Sequence, residues 1–155
     1  TFGPQRYEIW TMQSAWHNLP TFDGVQQLPG AEYAAREVCT DKNSITAELA
    51  SAYPPIPGLT IYRRTLRVTE DGITLRDETD YPGIVELTLL TEQKPVPTAD
   101  GFAVGTLGGI RFDPDAATAA VTPVPITDPR LRTAWPETIY KITLHFQKML
   151  SLELY

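Results

Sequence analysis

The segment Tyr140-Lys-Ile-Thr-Leu-His-Phe146 (YKITLHF) decides the fold class of this chain. Apolar and polar side chains alternate along it, a pattern that is typical of a strand that buries one of its faces. The predicted inner face carries Tyr140, Ile142, Leu144 and Phe146. The predicted outer face carries Lys141, Thr143 and His145.

The same alternation recurs in other segments. Residues 73–77 and 84–90 both alternate, and each is bounded by turn-forming residues. The segment Thr69-Glu-Asp-Gly72 separates two strand-like segments and predicts a tight hairpin, because glycine adopts a positive φ without steric cost. We also expect residues 6–12 (RYEIWTM) to form a strand near the beginning of the chain.

Proline and glycine mark the ends of these segments. The 155-residue chain has 14 prolines, which exclude long helices and cluster in residues 53–58, 94–97 and 122–125. Strand-like segments recur about every 8–12 residues, and they predict about ten or more strands. The sequence therefore predicts an all-β fold, an antiparallel two-layer β-sandwich, formed by residues 1–155 as a single domain.

Charge and hydropathy argue against two classes of partner. The formal net charge is −6, which argues against nucleic acid, because phosphate contacts require clustered Lys and Arg. No apolar run approaches the roughly 20 residues of a membrane-spanning helix, so we do not expect a membrane as a partner.

Cys39 is the only cysteine, which excludes an intrachain disulfide and a cysteine-based zinc knuckle. A lone cysteine in an apolar-patterned segment is expected to be a small core residue. The cysteine count leaves the redox compartment open, and it is compatible with a soluble, secreted or periplasmic parent protein.

Two features of the sequence resemble a known family. His17-Asn18, followed after four residues by Asp23-Gly24 and after two more by Gln27, is similar to a segment of the heparinase II/III-like polysaccharide lyases. The order of later segments is also similar, in residues 64–68, 75–77, 85–91, 128–131 and 138–144, together with Trp135. The chain departs from the family at Leu19-Pro20. Because proline cannot donate a ladder hydrogen bond, we expect this strand to be irregular or to lie at an edge.

The resemblance implies a function that belongs to a longer protein. Members of the family have an α-helical toroid followed by a β-sandwich, and they cleave uronic-acid-containing polysaccharides, such as glycosaminoglycans or alginate, by β-elimination. Their catalytic residues lie mainly on the toroid and the early part of the sandwich. Since this chain has no toroid-like helices, the resemblance implies a C-terminal portion, separated from its N-terminal toroid, that supports the substrate cleft and is not active alone.

The resemblance also implies a role for His17. Some members bind a structural zinc ion through two histidines and an aspartate, and His17 is at the position of the last of these ligands. The other two would lie upstream of this sequence, and zinc requires three or four protein ligands. We therefore expect zinc at His17 only in the full-length parent and no cofactor in this chain. Here His17 is expected to orient a turn through a hydrogen bond.

The neighbours of His17 have structural as well as functional interpretations. Asn18 and Asp23 are typical of turns, where their side chains accept hydrogen bonds from nearby backbone, and Gly24 is typical of a left-handed conformation. Gln27 can contact sugar hydroxyls, but a strand-end amide more commonly pairs with the backbone. We expect structural roles for all four.

Arginines and tryptophans are further candidates for binding. Alternation places Arg63 and Arg67 on one face of a strand and Arg64 on the other, so cross-strand carboxylates are their expected partners rather than one shared anion. The tryptophans can stack on sugar rings, although packing within the protein is the commoner role of large aromatic residues. They are Trp10, Trp16 and Trp135.

No pair of carboxylates is placed for acid–base catalysis, although Glu8, Asp77 and Glu86 are all predicted on strands. The sequence therefore predicts no complete catalytic site, and the enzymatic activity of the chain is left open. A second interpretation is a stand-alone carbohydrate-binding module, which exposed tryptophans on one sheet would favour. A third is a purely structural β-sandwich.

Overall fold

The computed structural model describes residues 3–106 and 108–155, so Thr1, Phe2 and Leu107 of the predicted domain lie outside the described residues. Across these two ranges, twelve strands form two antiparallel sheets that pack against each other, and no helix is longer than five residues. The prediction of an all-β, antiparallel two-layer sandwich is confirmed.

The two sheets differ in size. The four-stranded sheet has the order β1 (Pro20–Phe22), β6 (Val85–Thr91), β11 (Thr138–Phe146) and β10 (Ala117–Pro125). The eight-stranded sheet has the order β2 (Arg36–Thr40), β3 (Ser44–Glu48), β4 (Tyr62–Val68), β5 (Ile73–Thr79), β12 (Met149–Leu154), β9 (Gly108–Phe112), β8 (Gly101–Val104) and β7 (Pro95–Pro97). Short 3-10 helices cover Pro4–Glu8, Trp10–Met12, Ser14–Trp16, Ala50–Ala52 and Leu131–Thr133.

From Ile142 to Phe146, strand β11 has the faces that its alternation predicted, whereas Tyr140 is only half-buried and Ile139 on the opposite face is buried. Ile142, Leu144 and Phe146 are buried between the sheets, and Leu144 lies opposite Leu87 of β6. The polar residues of the other face are only partly buried. The inner face of the eight-stranded sheet completes the core with Tyr62, Leu75, Phe102, Ile110, Leu150 and Leu152.

The hairpin and edge predictions are also confirmed. β4 and β5 are joined by residues 69–72, where the N–H of Thr69 donates to the carbonyl of Gly72. A side chain at Gly72 would collide with the carbonyl of Leu154, so the hairpin needs glycine for space as well as for its positive φ. β1, which begins at Pro20, lies at the edge of the four-stranded sheet.

Two local predictions are wrong. Residues 6–12 form 3-10 turns instead of a strand, with N–H groups donating to carbonyls three residues earlier, such as Met12 to Ile9 at 2.8 Å. These local hydrogen bonds satisfy the backbone without a partner strand. Cys39 is exposed rather than in the core, because it lies on β2, an edge strand whose five residues are all exposed.

In residues 3–106 and 108–155, no helix has the length and apolar character needed to cross a membrane.

Replacement of Leu144 by alanine should destabilise the protein by about 2–5 kcal/mol, because it leaves a cavity at a fully buried position between the sheets. Thr143→Ala, on the opposite face of β11, should change stability by about 0.5 kcal/mol or less. Urea unfolding measures both variants. Equal losses would contradict the assignment of the two faces.

Candidate functional site

The segment from His17 to Gln27 folds back on itself around a tight turn. The N–H of Val25 donates to the carbonyl of Phe22 at 2.9 Å, and the reverse bond is 3.1 Å. Asp23 and Gly24 both have positive φ, at 50° and 77°, which is the pattern of a type I′ turn. The left-handed conformation expected of Gly24 is confirmed.

The side chain of Asp23 bonds to a distant side chain instead of to nearby backbone as predicted, and Asn18 is held through its main-chain carbonyl. The Asp23 carboxylate accepts a hydrogen bond from the hydroxyl of Tyr81 at 2.5 Å, and this bond raises the pKa of Tyr81. The carbonyl of Asn18 accepts a bond from Arg64 at 2.6 Å. The segment is therefore fastened to both β4 and the loop after β5.

Arg64 and Asp77 form the charged centre of the site. They lie opposite each other on β4 and β5 and face the inside of the sandwich. Two parallel hydrogen bonds join the guanidinium to the carboxylate, both at 2.7 Å. The Asp77 side chain is fully buried and that of Arg64 is 10% exposed. Tyr62 donates a third bond to Asp77 at 3.0 Å.

Aromatic rings surround this ion pair. The ring of Phe22 packs edge-on against those of Tyr53, Tyr62 and Tyr81, with centroids 5.0, 5.6 and 5.3 Å away. The hydroxyl of Tyr53 donates to the carbonyl of Pro20 at 2.8 Å. The rings join β1 to the larger sheet and keep water away from the charges.

Burial shifts the ionisation of these groups. It raises the pKa of Tyr53 and that of Tyr62 above their ordinary values, since a phenolate would be desolvated there. Burial alone would lower the pKa of Arg64. The hydrogen bond to Asp77 and the proximity of Tyr62 have the opposite effect and are stronger together, so the pKa of Arg64 is above its ordinary value. Arg64 is therefore charged at every accessible pH.

His17 is exposed and follows the third 3-10 helix. Its Nε2 is 2.9 Å from the carbonyl of Thr11. Because a carbonyl only accepts, Nε2 carries the proton, and Nδ1 keeps its lone pair in the neutral ring. Among the described residues, no three His, Cys, Asp or Glu side chains are grouped so as to hold a metal ion. The zinc assignment of His17 stays a prediction about a longer parent.

The other arginines behave as the alternation predicted. Arg63 contacts Glu37 at 3.4 Å and Arg67 contacts Asp41 at 3.7 Å, on the outer face of the larger sheet. All four side chains are largely exposed, so these pairs contribute little to stability. Arg64, on the inner face, is the one of the three that joins the site.

The three tryptophans meet one another. The ring of Trp10 is 4.7 Å from that of Trp16 and 5.8 Å from that of Trp135, edge to face in both cases. Lys141 lies 5.2 Å from the Trp16 ring. All three rings are half-buried, so they pack within the protein instead of presenting a row of open faces.

The structure does not assemble the three carboxylates into a catalytic site. Glu8 is exposed and lies on a 3-10 helix, not on a strand as predicted. Glu86 is on the outer face of the smaller sheet, with Lys141 at 3.2 Å and His145 at 3.5 Å. Asp77 is held by Arg64 and Tyr62, which leaves it unsuited to proton transfer.

Sequence reasoning missed the pairing of Arg64 with Asp77, although a signal was present. The alternation of residues 73–77 places Asp77 on the same face as Leu75, which is a core position. A carboxylate at a core position requires a buried cation. Arg64, already separated from its two neighbours by alternation, was the available partner.

A second feature that the sequence did not reveal is an uncovered apolar strip. It consists of Ile45, Val68 and Ile73 on the inner face of the larger sheet, with Val38 on the adjoining edge strand. Their exposed fractions are 42%, 60%, 40% and 54%. β1 lies over β4, since Phe22 packs on Tyr62, and β2 and β3 extend beyond it. Adjoining exposed apolar side chains of this kind are candidates for contact with another surface.

No protein-family model matches this chain, and no curated protein is significantly similar to it. Membership of the lyase family therefore stays a prediction.

Asp77→Asn should destabilise the protein by about 3–5 kcal/mol, because it leaves the buried Arg64 charge without a counterion. The matched control is Glu37→Gln, which removes the partner of an exposed arginine and should cost about 1 kcal/mol or less. Chemical denaturation measures both. A small effect of Asp77→Asn would show that the ion pair does not hold the site together.

Stability should fall at alkaline pH. Tyr62 has a raised pKa in the folded protein, so its contribution is complete below about pH 10, the unfolded pKa, and is lost as the pH rises towards the folded pKa. Above about pH 10, the free energy of unfolding of Tyr62→Phe should fall less steeply with pH than that of the wild-type protein. The difference in slope should be about 1.4 kcal/mol per pH unit. Tyr7→Phe, at an exposed position, is the control. An unchanged slope in Tyr62→Phe would contradict the effect of burial.

Proposed function

We propose that this chain is the C-terminal β-sandwich domain of a heparinase II/III-like polysaccharide lyase. In the parent protein it supports the cleft in which uronic-acid-containing glycans are cleaved by β-elimination, and alone it is not active. The observation that carries the proposal is the convergence of separate segments that resemble the family. Asn18, Arg64 and Asp77 come from three such segments and form one hydrogen-bonded cluster.

The uncovered strip supports an upstream partner. Val68 and Ile73 are exposed at the end of one hairpin, and Val38 and Ile45 continue the strip to the edge of the larger sheet. Burial of exposed apolar side chains such as these is favourable. In the proposed parent, upstream residues cover the strip, and the N-terminal helical toroid forms the opposite wall of the cleft.

The geometry of His17 is compatible with one zinc ligand in that parent. A metal-bound histidine usually donates its other ring N–H to a carbonyl or carboxylate, which fixes the ring. Nε2 of His17 has such a partner in the Thr11 carbonyl, and Nδ1 is left to bind a metal. The described residues supply this one ligand and no full set. A structural zinc ion would therefore need two upstream ligands.

Charge supports the absence of activity in the isolated chain. A polyuronate is anionic, and a protein of net charge −6 does not attract it. The most deeply placed cation, Arg64, is already neutralised by Asp77. Binding and neutralisation of the substrate carboxylate are therefore assigned to the upstream portion.

The stand-alone carbohydrate-binding module is the alternative proposal. It would be favoured by tryptophan faces open to solvent, but the three tryptophans are half-buried against one another. The third interpretation, a purely structural sandwich, would be favoured by a parent without a helical toroid.

The lyase proposal is tested by absorbance of the unsaturated uronate formed from heparan sulfate and from alginate. The isolated chain should give no turnover, whereas the parent protein with its upstream region should cleave one of these polymers. His17→Ala in the parent should lower its zinc content, and His145→Ala, on a distant strand, should not. Turnover by the isolated chain would overturn the assignment of catalysis to the upstream portion, and a parent lacking a toroid would overturn the family assignment.

A further inference from the structure

A small cavity lies between the N-terminal 3-10 helices and the segment that follows the Asp23-Gly24 turn. Its volume is about 260 Å³. Residues on its walls include Tyr7, Met12, Gln13, Gln26, Gln27 and Leu28. The volume is below the roughly 300–1,000 Å³ of sites for drug-sized ligands, and it suits one small ring rather than a length of chain.

The polar part of the lining is neutral and rich in amides. Three of the wall residues are glutamines, whose side-chain amides carry both donors and acceptors, although each of them also makes a hydrogen bond within the protein. Among the residues that the structure describes, no Asp, Glu, Lys, Arg or His belongs to the lining. The site is half open to solvent, and a charged ligand would gain no counterion from these wall residues. The chemistry therefore selects a neutral ligand with several hydroxyl or amide groups.

Hydrogen bonds hold the two walls together. The carbonyl oxygen of the Gln26 side chain accepts from the N–H of Ala15 at 3.2 Å, and the N–H of Gln27 donates to the Ser14 hydroxyl at 2.9 Å. Gln13 donates to the carbonyl of Tyr7 at 3.2 Å. Within the part of the chain that the structure describes, the NH₂ group of Gln26 has no protein acceptor. Because Ala15 holds the amide oxygen, the NH₂ donor of this wall residue has a defined position.

The rim of the cavity is apolar. Tyr7, Met12 and Leu28 are 40%, 37% and 43% exposed, so their apolar surfaces are accessible to a ligand at the rim. A pyranose ring has an apolar C–H face and a belt of neutral hydroxyls. Such a ring matches an apolar rim above an amide lining.

We propose that this cavity binds one neutral sugar unit of a glycan. An extended peptide is the other neutral ligand that amides recognise, but peptides commonly add to a strand edge. The wall residues lie on 3-10 helices and irregular chain, and none is in a strand. The proposal does not depend on the lyase assignment, because it rests on the lining of this cavity alone.

The test is a titration of the ¹⁵N-labelled chain with three neutral probes, the methyl glycosides of glucose, galactose and mannose, followed by NMR. At least one should give saturable shifts of the Gln26 side-chain NH₂ signals, with a millimolar dissociation constant. Sodium glucuronate should bind more weakly than that glycoside. Absence of saturation with all three probes at about 100 mM would overturn the proposal, as would tighter binding of glucuronate.

The variant Gln26→Glu distinguishes a ligand-binding role of this side chain from a structural one. A glutamate oxygen can still accept the bond from Ala15, but the NH₂ donor is lost, so affinity for the glycoside should fall about three- to tenfold. Gln147→Glu makes the same charge change at an exposed position and should bind normally. Leu28→Ala provides a second variant on the exposed rim, with weaker binding expected, in case Gln26→Glu lowers the melting temperature. Wild-type affinity in both Gln26→Glu and Leu28→Ala would contradict the site.

Discussion

The buried ion pair between Arg64 and Asp77 is the interaction on which this corner of the molecule depends. Removing each charge from water has a desolvation free energy that a single contact between the two ions would not offset. The carboxylate accepts two parallel hydrogen bonds from Arg64 and a third from Tyr62. The guanidinium also donates a hydrogen bond to the carbonyl of Asn18. One side chain thereby connects the larger sheet to the segment before β1.

Aromatic packing strengthens the attraction between Arg64 and Asp77. Phe22 is fully buried and contacts three tyrosine rings, so the dielectric around the charges is low and their attraction is strong. The hydroxyls of Tyr53 and Tyr81 also donate hydrogen bonds to residues of the segment around β1. This combination of charge, hydroxyl and ring contacts fastens residues 17–27 to the larger sheet.

The two halves of the sandwich surface have different character. On the outer face of the smaller sheet, the N-terminal 3-10 helices and the tryptophans cover β6 and β11 and leave half-buried rings and a neutral cavity. On the inner face of the larger sheet, Ile45, Val68 and Ile73 remain about half exposed. The first surface is closed by the chain itself. The second has the composition of a surface that another part of a protein covers, which fits the proposed role in a lyase.

Local features of the sequence determined the fold class. Alternation in residues 140–146, proline at position 20 and glycine at position 72 each restrict the backbone or the buried face within a few residues, so the strands, the edge and the hairpin could be predicted. The sequence did not determine which distant residues would meet. The pairing of Arg64 with Asp77, the contact of Trp10 with Trp135 and the exposure of Cys39 depend on strand order and register, which arise only when the two sheets pack. Periodicity shows which face a residue occupies, but only the tertiary structure decides what covers that face.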